Sequence, residues 1–364
     1  MLEAGASVAP SRTLRTPGEL LVPLVDGWRS LAAAQHVPYF ATPDWVLAWW
    51  ETFGEGKEAE LAVWEGPHGE PEGVAGLIRT RERFHSRLPF SVSIWTNLGA
   101  GAGSADHCGW PVMPHRMQDV RSWIDTRTAG SPLLLRDLDP EAGTRFVPDG
   151  GQLLYRTRCP RLMIPDDGEA LGRSGKSRKR IRSHTRKLLD QGVSFRWISP
   201  EEMDESTLQT LFRLHGERQA MLGRSSVFDP ARRQFHRRLV ARAGPGRGPT
   251  ALVAEHEGRA VGIRYGFMWL DVFAGYQSGW DPAWAPYRLG TVLYSEAIQL
   301  SRAAGARVAD FLRGTEEWKY RFGAIDHVDE TWLIPRGLPA RLLGLKYRLR
   351  NKGGGSRRMP PRVD

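Results

Sequence analysis

The sequence predicts a mixed α/β (α+β) fold of two similar halves, each a central mixed or antiparallel sheet flanked by helices. Three observations lead there. The chain has 364 residues, enough for two domains, and 41% hydrophobic composition with 14 Trp can fill two cores. Strand-like runs occur in turn-linked pairs separated by segments of helical period. The order helix, strand hairpin, then strand–helix–strand is read once before and once after a strongly basic segment. No residue-level repeat accompanies it, so the duplication is one of pattern.

In the first half, Glu19 to Leu24 reads as a short strand, followed by a helix from about Asp26. Thr42 and Pro43 then mark the start of an amphipathic helix reaching Phe53. Ala59 to Glu65 and Gly73 to Arg83 alternate as strands around a turn at Gly66, Pro67 and Gly69. Further strands are expected at Phe90 to Thr96, Leu133 to Leu138 and Gln152 to Arg156, with a helix over Pro114 to Arg127. In the second half a basic helix stops at Gly192, and Val193 to Ile198 is a strand. Helices follow over Met203 to Leu222 and Pro230 to Ala243. Thr250 to His256 and Arg259 to Trp269 form a hairpin across Glu257-Gly258. Asp271 to Ser278 (strand), Leu289 to Ala304 (helix), Arg307 to Leu312 (strand), a short helix at Trp318 and a strand from Glu330 to Ile334 complete the pattern. The expected division is a flexible leader (1–18), a first half (19–165), a basic linker helix (166–192), a second half (193–340) and a tail (341–364).

Charge is uneven. Arg173 to Lys187 holds eight Lys/Arg and no acid, and Arg341 to Asp364 holds eight more against one acid. The two segments exceed the chain's net +10, so the remainder is net acidic. Such segments suit phosphate-bearing partners, tRNA or an anionic membrane face. For the tail, with Gly353 to Ser356 and Pro360-Pro361, disorder is the expectation. No apolar run approaches the ~20 residues of a membrane span, so no stable insertion is expected. No signal peptide is read. Two cysteines, Cys108 and Cys159, make neither a disulfide framework nor a metal box, and suit a reducing cytoplasm. No metal is expected.

Four segments could carry chemistry. In Ala274 to Leu293, a strand leads through a Trp- and Pro-rich loop to a helix starting near Gly290, where free N–H groups, the helix dipole and Arg288 favour a pyrophosphate. After the strand ending at Leu312, the residues Glu316, Lys319, Tyr320 and Gly323 share helical spacing. A carboxylate there can take a proton from an attacking amine, and an ammonium or phenol can steady an oxyanion or protonate a thiolate. On spacing alone, a surface Glu–Lys pair explains these residues more simply. His215, Glu217 and Arg218 interrupt an apolar helix face, and His215 is a candidate base or substrate contact, although a satisfied histidine is the commoner case. A glycine-rich loop from Gly99 to Trp110 carries Asp106 and His107 without metal-site spacing.

The run Asp310-Phe311-Leu312-Arg313-Gly314, then Glu316 and Lys319-Tyr320-Arg321-Phe322-Gly323, resembles the end of the CelD/BcsL-type acetyltransferase domain, a branch of the GNAT superfamily. The basic helix Ser177 to Leu189, the hairpin Ala251 to Gly266, Tyr276-Gln277-Ser278-Gly279-Trp280 before Gly290, and Phe40 to Trp45 with Trp49 follow the same pattern, over residues 20 to 340. The layout also resembles the FemX-like aminoacyl and peptidyl transferases, which pair two GNAT-like halves; their Phe-Lys-x-x-Phe-Gly-like lysine falls on Lys319. The resemblance implies an N-acyltransferase, and specifically an N-acetyltransferase of polysaccharide biosynthesis, moving an acyl group from acetyl-CoA or another acyl-CoA to a small-molecule or sugar amine. It implies Lys319, Glu316 and Tyr320 as catalytic, Tyr276, Gln277, Arg288, Gly290 and Thr291 as donor contacts, and Asp310, Arg313, His215 and Arg218 as acceptor contacts. The phosphate loop departs from the family pattern: in Tyr287 to Val292 the arginine comes one place late and Val292 replaces a small residue. An aminoacyl-tRNA donor and a non-catalytic accessory role are the alternatives.

Overall fold

A computed structural model of the chain describes residues 7–83, 91–166, 171–337, 343, 344 and 347. The chain folds into two compact units, residues 1–157 with 328–364, and residues 158–327.

The first unit contains β1 (Arg12–Leu14), α1 (Val22–Ala34), α2 (Pro43–Phe53), β2 (Ala59–Glu65), β3 (Pro71–Arg83), β4 (Ser91–Asn97), α3 (Met117–Arg127), β5 (Leu133–Leu138) and most of β12 (Ile325–Ile334). Its strands lie in the order β1-β2-β3-β4-β5-β12. The first four are antiparallel, and α3 carries the chain to β5, which runs parallel to β4 (Trp95↔Leu133). β12 closes the order antiparallel to β5. Pro43 opens α2, and Trp45, Trp49 and Trp50 all turn into the core, so this helix is buried nearly all round.

The second unit contains the end of β6 (Gln152–Met163), α4 (Gly175–Asp190), β7 (Ser194–Ile198), α5 (Glu205–Met221), α6 (Pro230–Ala241), β8 (Gly248–His256), β9 (Arg259–Trp269), β10 (Val272–Trp280), α7 (Leu289–Ala303), β11 (Val308–Asp310) and α8 (Glu317–Arg321). The order is β6-β11-β10-β9-β8-β7. Again four strands, β7 to β10, are antiparallel, a helix (α7) leads to a parallel strand (β11), and an antiparallel strand (β6) closes the order. The two units share one topology, and in each the closing strand comes from a distant part of the sequence.

Several expectations are corrected. Glu19 to Leu24 is not a strand: Pro17–Glu19 is a single 3₁₀ turn and α1 already begins at Val22, with Pro23 in the first turn, where its missing N–H costs nothing. Arg12–Leu14, inside the expected leader, is a strand paired with β2. The basic helix is not a free linker. It belongs to the second unit, where Thr185 donates to Glu296 of α7 (3.1 Å) and Ile181 and Leu188 are buried. Glu330 to Ile334, read as closing the second half, pairs instead with β5 in the first unit. Most of the 341–364 tail lies outside the described residues. Leu343 and Tyr347 are nevertheless buried in the first unit, and Tyr347 donates to Glu82 (2.7 Å).

Candidate active site

The second unit offers an opening in its sheet. β10 and β11 pair only from Val272↔Val308 to Ala274↔Asp310, yet β10 continues to Trp280. Past Ala274 its edge is no longer laddered to β11. At that point the β9–β10 register shifts, with Gly275 opposite Gly266 but Gln277 opposite Tyr265. This bulge re-aims the strand. Gly275 faces α7, where an added Cβ would lie 2.2 Å from Arg264 Nη2. Tyr276 turns to the other face and packs on His236, Tyr265 and Phe267. There α5 approaches so closely that a Cβ on Gly279 would sit 2.2 Å from the backbone nitrogen of His215.

Below the opening, β11 ends in a turn held under strain. Leu312 has φ 54° and Gly314 φ 117°, and a left-handed leucine is unfavourable by itself. Lys319, from the short helix α8, holds this turn. Its buried ammonium donates to the carbonyls of Leu312 (3.0 Å), Arg313 (2.8 Å) and Gly314 (3.1 Å) and pairs with Glu316 (3.0 Å). Glu316 itself is exposed. Tyr320 points elsewhere, donating to Asp326 (2.6 Å); burial, with Asp326 beside it, pushes its phenol up to about 12. Helical spacing therefore joins Glu316 to Lys319 but leaves Tyr320 with a different partner. Asp310 is buried and ion-paired with Arg161 (2.6 Å), and it accepts the Leu312 N–H (2.8 Å). Arg313 enters the site through its carbonyl.

On the third side stands the start of α7. Its N-cap, Arg288, is exposed and left-handed (φ 62°). Thr291 and Val292 donate back to the Arg288 carbonyl, while the N–H groups of Leu289 and Gly290 have no acceptor among the described residues. The space at Gly290 is taken by Trp280, whose ring would be 2.7 Å from an added Cβ. The glycine thus serves indole packing and leaves its N–H at the helix end. Arg288 acts electrostatically on His184 of α4: burial, then Arg180, Arg288 and Lys187, hold that imidazole below its ordinary range. The basic face of α4 and the positive end of α7 therefore form one field.

His215 and Arg218, both on α5, part company. His215 is buried, with Nδ1 at 3.0 Å from Ser226 Oγ and its ring against Phe228. Arg218 lays its guanidinium on the Trp280 ring at 3.8 Å.

Two residues escaped the sequence reading, and a third that it named has partners it did not foresee. Arg264, in the middle of β9, is buried against Gly275 and Tyr294. His236 is fully buried and donates to or accepts from Tyr265 Oη (3.0 Å); burial, reinforced by Arg232, drops its pKa to about 3, so it is neutral. In the first unit, His107 Nδ1 lies 2.7 Å from Asp329, and donor atoms of His107, Asp139 and Asp329 come within 4.8 Å of one another. Residues so far apart in sequence leave no spacing signal. A lone Arg in the apolar run of β9, between Gly262 and Gly266, was the one signal available.

Residues 175–320 match the family model described as Acetyltransferase (GNAT) domain, a stretch that runs from α4 into α8 and holds every second-unit element from β7 to β11. Comparison with curated proteins gave no match. Among solved structures, FemX is similar over 92% of this chain and 100% of its own (TM-score 0.61, 10% identity). The C-terminal domain of a putative lysylphosphatidylglycerol synthetase from Agrobacterium fabrum is similar over 90% and 96% (TM-score 0.58, 10% identity). L-PGS from Bacillus licheniformis is similar over 84% and 96% (TM-score 0.50, 11% identity). At such identities the likeness speaks for the fold alone. The chain has a GNAT-superfamily, FemX-like layout, and the stretch that matches the GNAT acetyltransferase domain lies within its second unit. Among the described residues no helix is long and apolar enough to cross a membrane.

Proposed function

We propose that this protein is an N-acyltransferase that moves an acyl group from acyl-CoA to an amine at the β10–β11 opening. The observation that carries this reading is the juxtaposition of three parts: a bulge on an unladdered strand edge, a strained turn with a carboxylate at its rim, and a helix end with free N–H groups in a basic field. Each part has a task. Backbone N–H groups around Gly275 to Gln277 polarise the acyl carbonyl. Leu289, Gly290 and Thr291 at the α7 terminus, with Arg288 beside them, receive the phosphates of the donor. Glu316 takes the proton of the attacking amine, directly or through one water. The new C–N bond forms as the C–S bond breaks, and the leaving thiolate takes a proton from solvent. Tyr320 keeps its proton at neutral pH and serves at most as a hydrogen-bond donor. Lys319, in this reading, is a positioning residue that holds the Leu312–Gly314 turn, and Asp310 with Arg161 anchors the strand before it. Arg218 and Arg313 line the acceptor side, whereas His215 supports α5.

Within this reading the acceptor is a small-molecule or sugar amine, the donor acetyl-CoA, and the subtype CelD/BcsL in polysaccharide biosynthesis, in the cytoplasm. A second donor, aminoacyl-tRNA, is favoured by a specific feature. Between α4 and α7 lies a cleft of about 750 Å³ lined by Arg182, Arg186, Arg302 and Arg307, next to the α4 face that bears on Arg288. Clustered arginines of this kind suit a phosphate backbone. The test is amine-dependent thiol release from acetyl-CoA and longer acyl-CoAs, run beside salt-dependent tRNA binding. Thiol release supports the CoA donor. Turnover only with charged tRNA moves the donor, and no turnover with either leaves an accessory role.

A further inference from the structure

Arg264, 3% exposed, is a buried cation with no carboxylate in contact among the described residues, and the exposed Glu316 attracts it only from a distance. One bond satisfies it, from Nη1 to Tyr294 Oη (2.8 Å), with the Tyr294 ring under the guanidinium at 3.9 Å. Its Nε is buried and has no acceptor. A guanidinium carries five N–H donors, and burying it unpaired costs several kcal/mol. A cation–π contact offsets only part of that.

The surroundings are arranged to receive it. Gly262, Gly266 and Gly275 line the same face of the sheet, and an added Cβ at Gly275 would collide with the guanidinium. Tyr294 is in turn packed on Trp318 at 4.0 Å. A second arginine adds to the charge. Arg218 repels Arg264, stacks on Trp280 and has its own Nε buried without an acceptor. Two guanidinium groups within electrostatic reach, each with an unmatched donor, disfavour one another unless an anion lies between them. Guanidinium geometry matches the two oxygens of a carboxylate or phosphate.

We propose that Arg264, with Arg218 beside it, is the receptor for an oxyanion, carboxylate or phosphate, carried by a substrate of the acyl-transfer site. This rests on reading the β10–β11 opening as that site. It makes the substrate class acidic: either the acceptor amine carries a carboxylate or phosphate, or the donor places a phosphate here, one helical turn below the start of α7.

The experiment is calorimetric titration of the full chain at low salt with L-glutamate, inorganic pyrophosphate and CoA, repeated on Arg264→Gln and Arg218→Gln. At least one probe is expected to bind wild type, with Kd raised tenfold or more in Arg264→Gln and threefold or more in Arg218→Gln. Loss confined to glutamate assigns the anion to the acceptor, and loss confined to pyrophosphate and CoA assigns it to the donor. Unchanged affinity in Arg264→Gln, or no binding of any probe to wild type, overturns the proposal. Should Arg264→Gln not fold, Arg218→Gln and Tyr294→Phe are judged by the threefold criterion. Thiol release from acetyl-CoA is followed in the same preparations, with an uncharged amine and with L-glutamate as acceptors. Anion binding lost in Arg264→Gln without any wild-type transfer leaves the receptor standing and removes the acyltransferase reading. Transfer with unchanged anion binding does the reverse.

Discussion

Lys319→Met separates a structural ammonium from a chemical one. The substitution keeps the apolar stem and removes only the donor. Three carbonyls then lose a charged partner: that of Leu312 in a buried bond, those of Arg313 and Gly314 in part-buried ones. One buried acceptor left unmatched costs about 1–3 kcal/mol, and the two that water can reach cost a fraction of that each. The pairing with exposed Glu316 adds little. The sum is about 3 kcal/mol, concentrated on a turn that already holds Leu312 in a left-handed conformation. For a unit of this size, 1 kcal/mol moves Tm by roughly 2–4 °C, so a fall of about 6–12 °C is expected in scanning calorimetry. Hydrogen exchange at the Gly314 N–H, which donates to the Arg158 carbonyl (3.0 Å), should accelerate with it. Acyl transfer should fall mainly in kcat, since the turn positions Glu316. A variant that melts within 1 °C of wild type with unchanged exchange at Gly314, yet loses turnover, would refute the positioning argument and return Lys319 to the chemistry.

Other substitutions test neighbouring parts of the site. Gly279→Ala places a methyl against the backbone of α5, which cannot yield as a flexible side chain does, and is expected to cost about 3 kcal/mol in denaturant unfolding. His236 is neutral when folded, with a pKa of about 3 against 6.5 when exposed. Its contribution is therefore complete above pH 6.5 and is lost as pH falls toward 3, worth about 5 kcal/mol over that window. His236→Gln should flatten the acid limb of stability against pH, measured by urea unfolding at pH 7, 5 and 4. Arg288→Gln should raise the His184 pKa toward its ordinary value in an NMR titration, because one of the three cations holding it down is removed. No change there would detach α4 from the start of α7.

Local order was legible in the sequence where a short-range signal decides it. β9 runs over Arg259–Trp269 as the Glu257-Gly258 turn and the apolar run predict, and β2 and β5 likewise keep their expected bounds. Thr42-Pro43 placed the start of α2. What failed was non-local. Nothing in Glu330 to Ile334 says that its partner is β5, roughly two hundred residues earlier, and nothing in β6 says that it closes the second unit's sheet. The site shows the same divide. Spacing put Glu316 beside Lys319, but the direction of the ammonium depended on the turn it faces, and Tyr320 found Asp326 across the next turn. The helix start near Gly290 was read as favouring a pyrophosphate, but no local signal showed that the missing side chain of Gly290 makes room for Trp280. Arg264 was passed over because a single charge in an apolar strand has no motif, although its burial carries the strongest electrostatic argument in the unit.

The account depends most on where an acyl donor sits. A crystal structure after incubation with acetyl-CoA tests this directly. The acyl carbonyl is predicted beside Gly275 to Gln277, with the phosphates at the α7 terminus between Leu289 and Thr291. Donor density in the α4–α7 cleft, in the first unit, or nowhere on the chain at millimolar acetyl-CoA would contradict the assignment of the β10–β11 opening as the acyl-transfer site.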